Sequence, residues 1–339
     1  MRSNVLPTIG TIGLVLVAVD CGGKSSDTTS PTPADAGPTA DQACTDVAKA
    51  RCAKFSSCEA IGLSLRFADE ASCETREKAA CTSSLAAAGT GATPSGVEAC
   101  VAAFPGWACA DWGNGVAPDA CKPATGSLTS GASCLFSGQC QSAWCSVPKG
   151  AACGSCAPQP KAGDSCASGA SCGPSMACTT DTQLCAPLIT AVGGACDAND
   201  LCGFGLGCVG ASGTAKGSCQ AIGTALDAAC DSKATKAPRC ARYAGLWCST
   251  AKCAKANLAT AGQPCGLVDA TTYAICTGGG DCDIPAGTPK GTCRAPSADG
   301  AACDSSAGPY CQNPARCMGT ASEAGVSGAC QMPSATSCK

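Results

Sequence analysis

Residues 134–145 read Cys134-Leu-Phe-Ser-Gly-Gln-Cys140-Gln-Ser-Ala-Trp-Cys145, and residues 196–208 read Cys196-Asp-Ala-Asn-Asp-Leu-Cys202-Gly-Phe-Gly-Leu-Gly-Cys208. The cluster recurs down the chain. First cysteines fall at Cys134, Cys166, Cys196, Cys230, Cys265 and Cys303, a period of 30 to 38 residues, which is the mark of a repeat architecture. The second and third are Cys140 and Cys145, Cys172 and Cys178, and Cys202 and Cys208; the later units carry longer first loops, with Cys240 and Cys248, Cys276 and Cys282, and Cys311 and Cys317. A fourth follows at Cys156, Cys185, Cys219, Cys253, Cys293 and Cys330. Gly131, Gly163, Gly193, Gly262 and Gly300 stand three residues before a first cysteine, where a residue tolerating positive φ shapes a turn.

Four cysteines allow three connectivities, and spacing does not choose among them. Counting four per unit leaves over Cys153 and Cys338, which either pair with each other or force local re-pairing. Cys330 to Cys338 reads as one more linker, ending on the first cysteine of a truncated seventh unit. The expected structure of residues 122–338 is six four-cysteine units, starting near 131, 163, 193, 227, 262 and 300. Each is built of short β-hairpins and irregular turns, and the units are strung in an extended line.

The composition agrees. Of 339 residues, 35 are cysteine, a density typical of disulfide scaffolds. Leu, Ile, Val and Phe together number 41, so the apolar share is mostly alanine and cysteine, which bury little area. At about 25 cal/mol per Å² this chain cannot offset backbone ordering of about 1–2 kcal/mol per residue. Bridges must supply the difference, at about 3 kcal/mol for a 15-residue loop. That requires an oxidising compartment and hence export.

Upstream, residues 43–121 read as helical. Cys44, Ala48, Cys52 and Phe55 fall on one helix face. A second helix is expected from about Ala71 to Ala87, with Cys73, Ala80, Cys81 and Leu85 inward. Ser95-Gly96-Val97-Glu98 reads as a capping box opening a third, with Val97, Cys100, Val101 and Phe104 on its inner face. Eight cysteines (Cys44, Cys52, Cys58, Cys73, Cys81, Cys100, Cys109 and Cys121) suffice for four internal bridges, and Trp107 and Trp112 are expected to cover a small apolar centre. The fold class expected is thus small and disulfide-rich: an N-terminal α-helical eight-cysteine domain followed by an extended array of loop and β-hairpin cysteine-rich modules.

At the N-terminus, Arg2 precedes an apolar stretch from Val5 to Val19, the length of a signal-peptide core and too short to span a bilayer. It ends Val17-Ala18-Val19-Asp20-Cys21-Gly22-Gly23, which resembles a bacterial lipobox, with Ala18 and Asp20 standing where Leu and Gly or Ala are usual. The resemblance implies residues 1–21 as a signal peptide with a lipobox-like end, lipidation at Cys21, and Gly22 suited to outer-membrane delivery. Residues 22–42 read as a disordered tether, with Lys24 to Thr39 rich in Ser, Thr, Pro and Asp. Removing Cys21 leaves 34 cysteines, an even number for seventeen bridges.

The repeated cluster, quoted above at Cys134–Cys145 and Cys196–Cys208, resembles the N-terminal cysteine-rich region of Dickkopf proteins over residues 131–338. That implies a disulfide-stapled extracellular binding module. The whole chain resembles the cysteine-rich lipoproteins of bacterial envelopes.

Chemistry is constrained by the absence of histidine, which removes every mechanism with an imidazole base. Cys153-Gly-Ser-Cys156 has redox or zinc spacing but no second such pair, so both read as disulfide partners and no metal or cofactor is expected. Asp197-Ala-Asn199-Asp200 gathers oxygen ligands without the glutamate of a calcium loop, and reads as a turn. Trp144, Phe204, Trp247, Tyr273 and Tyr310 read as covers for their own units' disulfides, with binding hot spots the alternative. A net charge of −3 and pI near 5.0 offer no basic footprint for nucleic acid. The expected function is a non-enzymatic, surface-displayed binding or structural protein of the cell envelope. It would be held to the membrane by an N-terminal lipid and meet an unknown protein or polysaccharide partner. The alternative is a protease inhibitor presenting Lys233 to Arg239; a cell-wall or redox enzyme ranks third.

Overall fold

The computed structural model describes residues 37–167, 171–197, 199, 201–322 and 325–338. Cys21, the apolar stretch before it, residues 22–36 of the expected tether and Asp200 lie outside the described residues.

Among the described residues five α-helices occupy the N-terminal part: α1 (Ala40–Cys58), α2 (Gly62–Arg66), α3 (Glu70–Leu85), α4 (Pro94–Ala103) and α5 (Cys109–Gly113). Helix α1 starts three residues before the expected boundary, because the Thr39 hydroxyl accepts the Gln42 amide at 3.2 Å. Asp69 caps α3 through the Ser72 amide. The capping box expected at Ser95 is corrected. Helix α4 opens at Pro94, whose fixed φ and missing N–H suit a first helical position, and Thr93 is the cap, accepting the Gly96 amide at 3.1 Å.

The bridges Cys44–Cys81 and Cys52–Cys73 staple α1 to α3 in antiparallel order. Cys58–Cys109 ties the end of α1 to α5, and Cys100–Cys121 ties α4 to the chain leaving the helices. Between them sits the expected aromatic centre: Trp112 lies 5.3 Å from Phe55 and 4.8 Å from Trp107, with Phe67 buried beside Phe55. Lys54 is buried against this cluster, its ammonium donating to the carbonyl of Phe104, which ends α4 where a cation is favoured, and to that of Trp107 just beyond it.

Each of the six units pairs its cysteines first to third and second to fourth: Cys134–Cys145 and Cys140–Cys156, Cys166–Cys178 and Cys172–Cys185, Cys196–Cys208 and Cys202–Cys219, Cys230–Cys248 and Cys240–Cys253, Cys265–Cys282 and Cys276–Cys293, Cys303–Cys317 and Cys311–Cys330. The bridges are the core of the unit. In unit 1 Cys134, Cys140, Cys145 and Cys156 are all buried, with only Leu128 and Val147 packed on them. The expected glycine turns are present. Gly131, Gly163, Gly193, Gly262 and Gly300 all have φ between 82° and 89°, and each donates its amide to the carbonyl of its unit's fourth cysteine. In unit 4 Asp227 takes that place, with φ 60° and the same hydrogen bond, to Cys253.

Two kinds of unit emerge. Units 1, 3 and 6 are three-stranded antiparallel sheets, units 2 and 4 two-stranded hairpins, and unit 5 a five-stranded sheet that recruits the linker strand Asn257–Ala259 in parallel with Tyr273–Cys276. The residue two before the fourth cysteine separates them. It is Gly154, Gly217, Gly291 or Gly328 in the sheeted units, and Gln183 or Ala251, both at positive φ, in the hairpins. A Cβ at any of those four glycines would lie within 2.3 Å of a carbonyl oxygen on the neighbouring strand.

The expectation of an extended line is corrected. Successive units dock in order against the helical part. Gly91 donates to Gly138 of unit 1 (2.8 Å), Ser175 of unit 2 to the Asn114 carbonyl (3.0 Å), and Phe204 of unit 3 to the Asn114 side chain (2.6 Å). Ile61 donates to Tyr243 of unit 4 (3.0 Å), and Gly278 of unit 5 to Ser64 (2.6 Å). At unit 6, Arg76 of α3 forms a two-pronged ion pair with Asp299 and donates to the carbonyls of Gln312 and Asn313. The last unit then meets the first: Gly319 donates to the Gly150 carbonyl at 3.0 Å, and Cys153 is bonded to Cys338 across 185 residues. Docking contacts that spacing does not encode curl the array and close it on itself.

Candidate functional site

The described cysteines, 34 from Cys44 to Cys338, form seventeen bridges. Cys153 and Cys156 are not each other's partners: one closes the chain to Cys338 and the other pairs with Cys140. Trios of sulfurs within 4.8 Å of one another, as at Cys134, Cys140 and Cys145, are neighbouring disulfides, with no thiolate to hold a metal. Where a turn is expected at Asp197 to Asp200, the two described residues show its hydrogen bond, the Asn199 amide donating to the Asp197 carboxylate at 2.7 Å.

That aspartate belongs to a pattern the sequence displays but single-unit reading misses. Asp197, Asp231 and Asp304 each directly follow a first cysteine and each accepts the amide two residues on, the Asx turn. Asp231 is the most engaged. It takes the amides of Lys233, Thr235 and Lys236 and the Thr235 hydroxyl, and these hydrogen bonds hold its carboxyl far below the usual aspartate range. The lowered value means the loop gains from the charged carboxylate above about pH 4 and loses that contribution as pH falls. An NMR titration should therefore show the Lys233 and Lys236 amides shifting with a midpoint well below that of an unbonded aspartate. A midpoint near 4 would refute the bracing.

Three of the five aromatics reach across unit joints: Phe204 stacks on Tyr243 at 4.9 Å and Trp247 on Tyr273 at 5.4 Å, so these rings clamp units 3 to 4 and 4 to 5. The physical reason is area: a ring shared between two core-poor units buries surface on both. Sequence carried a clue in their near one-per-unit occurrence.

Clefts open at these joints. One of about 570 Å³ is framed by Phe55, Trp112, Phe204 and Tyr243, with Arg51, Arg66 and Glu59 at its wall. Arg51 lies over Phe55 and Trp112, and Arg66 over Phe55 at 4.7 Å, in cation–π geometry. Arg66 also grips Glu59 with both prongs. Burial, with the charge of Glu59 beside it, raises the Tyr243 hydroxyl above its ordinary pKa. A second cleft, of about 600 Å³, lies where units 4, 5 and 6 approach, between Tyr273 and Tyr310, with Arg242, Arg294, Asp281 and Asp283. Tyr310 is 41% exposed there, and Asp281 holds Arg294 in its charged form. A third, of about 490 Å³, crosses the closure between units 6 and 1 and contains Trp144. Each combines aromatic faces with guanidinium groups, chemistry suited to holding a ligand by stacking and charge-assisted hydrogen bonds.

No helix among the described residues is long and apolar enough to cross a membrane. Set against protein-family models, curated proteins and solved structures, the chain matches none.

Proposed function

We propose that the protein is an exported, non-enzymatic binding or structural protein of the bacterial cell envelope, lipid-anchored at Cys21, whose units resemble the Dickkopf N-terminal cysteine-rich region. One observation carries this reading. The seventeen bridges account for all 34 described cysteines, Cys44 to Cys338, and the remaining one of the 35, Cys21, stands in the sequence where a lipobox places its lipid. Seventeen bridges also fit an oxidising, exported setting. The helical part serves as the hub on which the units dock. The joint clefts, repeated around one chain, suit a polymeric or cell-surface partner whose weak contacts add through effective concentration.

Intact mass of the protein from membranes, before and after reduction and alkylation, tests the proposal. The expected species lacks residues 1–20, carries acyl chains on Cys21, and takes no alkyl label until reduced. An unacylated mass, or several thiols labelled without reduction, would overturn it.

A second reading is favoured by the Asp231-braced loop: Lys233, Lys236 and Arg239 are exposed on a loop held by its own hydrogen bonds, the form a protease inhibitor presents. Stoichiometric inhibition of a trypsin-like protease, lost in Lys233→Ala/Lys236→Ala/Arg239→Ala, would establish it.

A further inference from the structure

The cleft at the closure differs from the other two in charge. Unit 1 supplies Phe136, Trp144 and Lys149, unit 2 Ser171, and unit 6 Arg316 and Met318. Lys149 and Arg316 are the only ionisable side chains lining it among the described residues, and no described carboxylate is part of that lining. The Lys149 ammonium reaches only the Ser322 carbonyl, at 3.5 Å, and Arg316 is exposed without an ion pair among the described residues. In a chain of net charge −3, two cations gathered beside an indole in one concave surface form a local reversal of sign.

The pairing of groups selects a ligand. An indole face packs against the C–H face of a sugar ring. A guanidinium fork matches a carboxylate with two parallel hydrogen bonds, and an ammonium adds a point charge. Hydroxyls of Ser146 and Ser171 on the cleft wall suit a ligand rich in its own hydroxyls. A dense phosphate polymer is disfavoured, since two cations on a net-acidic chain neutralise few of its charges. From the joint clefts and this reversal of charge we propose that the closure cleft binds uronate units of an acidic polysaccharide, Trp144 stacking on the ring and Arg316 and Lys149 holding the carboxylate. This rests on the reading of the chain as a binding protein and names the partner's chemistry.

The cleft is a product of closure. It takes walls from units at opposite ends of the array, and Gly150, which accepts the Gly319 amide, is part of its rim. Binding should therefore depend on the Cys153–Cys338 bridge as well as on the side chains.

Isothermal titration of the full-length protein in detergent micelles, at low salt, with hexagalacturonate tests this. Binding is expected, weakened at least tenfold by Arg316→Glu, by Trp144→Ala and by Cys153→Ser/Cys338→Ser, and screened by added salt. Maltohexaose, uncharged, should not bind, and a glutamate hexapeptide should bind at least tenfold more weakly. Lys149 is exposed, so Lys149→Glu keeps the test decisive should the Trp144 variant misfold. Failure of hexagalacturonate to bind, equal binding of the acidic peptide, or unchanged affinity in Arg316→Glu and Lys149→Glu would each overturn the proposal. Such a failure, with acyl chains still found on Cys21, removes this ligand and leaves the envelope reading standing.

Discussion

The double variant Cys153→Ser/Cys338→Ser should keep all six units folded yet release the last from the first. The bridge spans 185 residues, and the chain-entropy relation assigns about 5 kcal/mol to a loop of that length. Bridges inside the loop shorten its free path, so the expected loss is about 4 kcal/mol, concentrated at the closure. Hydrogen exchange reads it locally: the Gly319 amide, bonded to Gly150, should lose protection by orders of magnitude. The Gly193 amide, bonded to Cys219 within unit 3, should keep its own. Unchanged exchange at Gly319 would mean that packing alone closes the array.

Gly217→Ala is expected to collapse the sheet of unit 3. The new Cβ would stand 2.3 Å from the Val209 carbonyl oxygen, with the Ala211 amide nitrogen at 2.6 Å. Both are backbone atoms, Val209 held by its pairing with Ser218 in the ladder, so no side chain can swing aside. Overpacking of this kind costs about 3 kcal/mol or more, a large loss for a unit whose core is two bridges. The mirror experiment is Ala251→Gly in unit 4. There the equivalent residue is left-handed, φ 65°, and glycine removes a strain of about 1–2 kcal/mol while adding freedom to the unfolded chain. Amide exchange of the two units should move in opposite directions, or hardly at all for Ala251→Gly. Equal destabilisation would refute the distinction between sheeted units and hairpins.

Much of this architecture can be read before any coordinates. Cysteine periodicity marks the units because each needs its own bridges for lack of apolar area, and the glycine three before each first cysteine marks a backbone conformation that a bulky residue resists. Connectivity stays open at that level, since three pairings share one spacing. Strand number was written in Gly154, Gly217, Gly291 and Gly328, but only the crowding of neighbouring carbonyls gives that position meaning. Pro94 and Thr93 outcompete the Ser95 box because capping depends on which residue leaves helical geometry. Closure is the least legible feature. Cys153 and Cys338 stand out by parity, but the docking of Asn114, Ile61 and Arg76 on distant units depends on tertiary placement. The joint clefts share that fate, their walls coming from units far apart in the chain.

The long bridge also sets an order of events. Bridges within the units join cysteines 11 to 19 residues apart, so each unit can lock as soon as its own four cysteines meet an oxidant. Cys153 cannot. It must wait as a free thiol, three residues from Cys156, until Cys338 is also available, and during that interval it is the nucleophile best placed to scramble unit 1. Oxidative folding of this chain should thus accumulate one long-lived species, complete in its units and short of a single bond. Its consumption would time the final step of maturation.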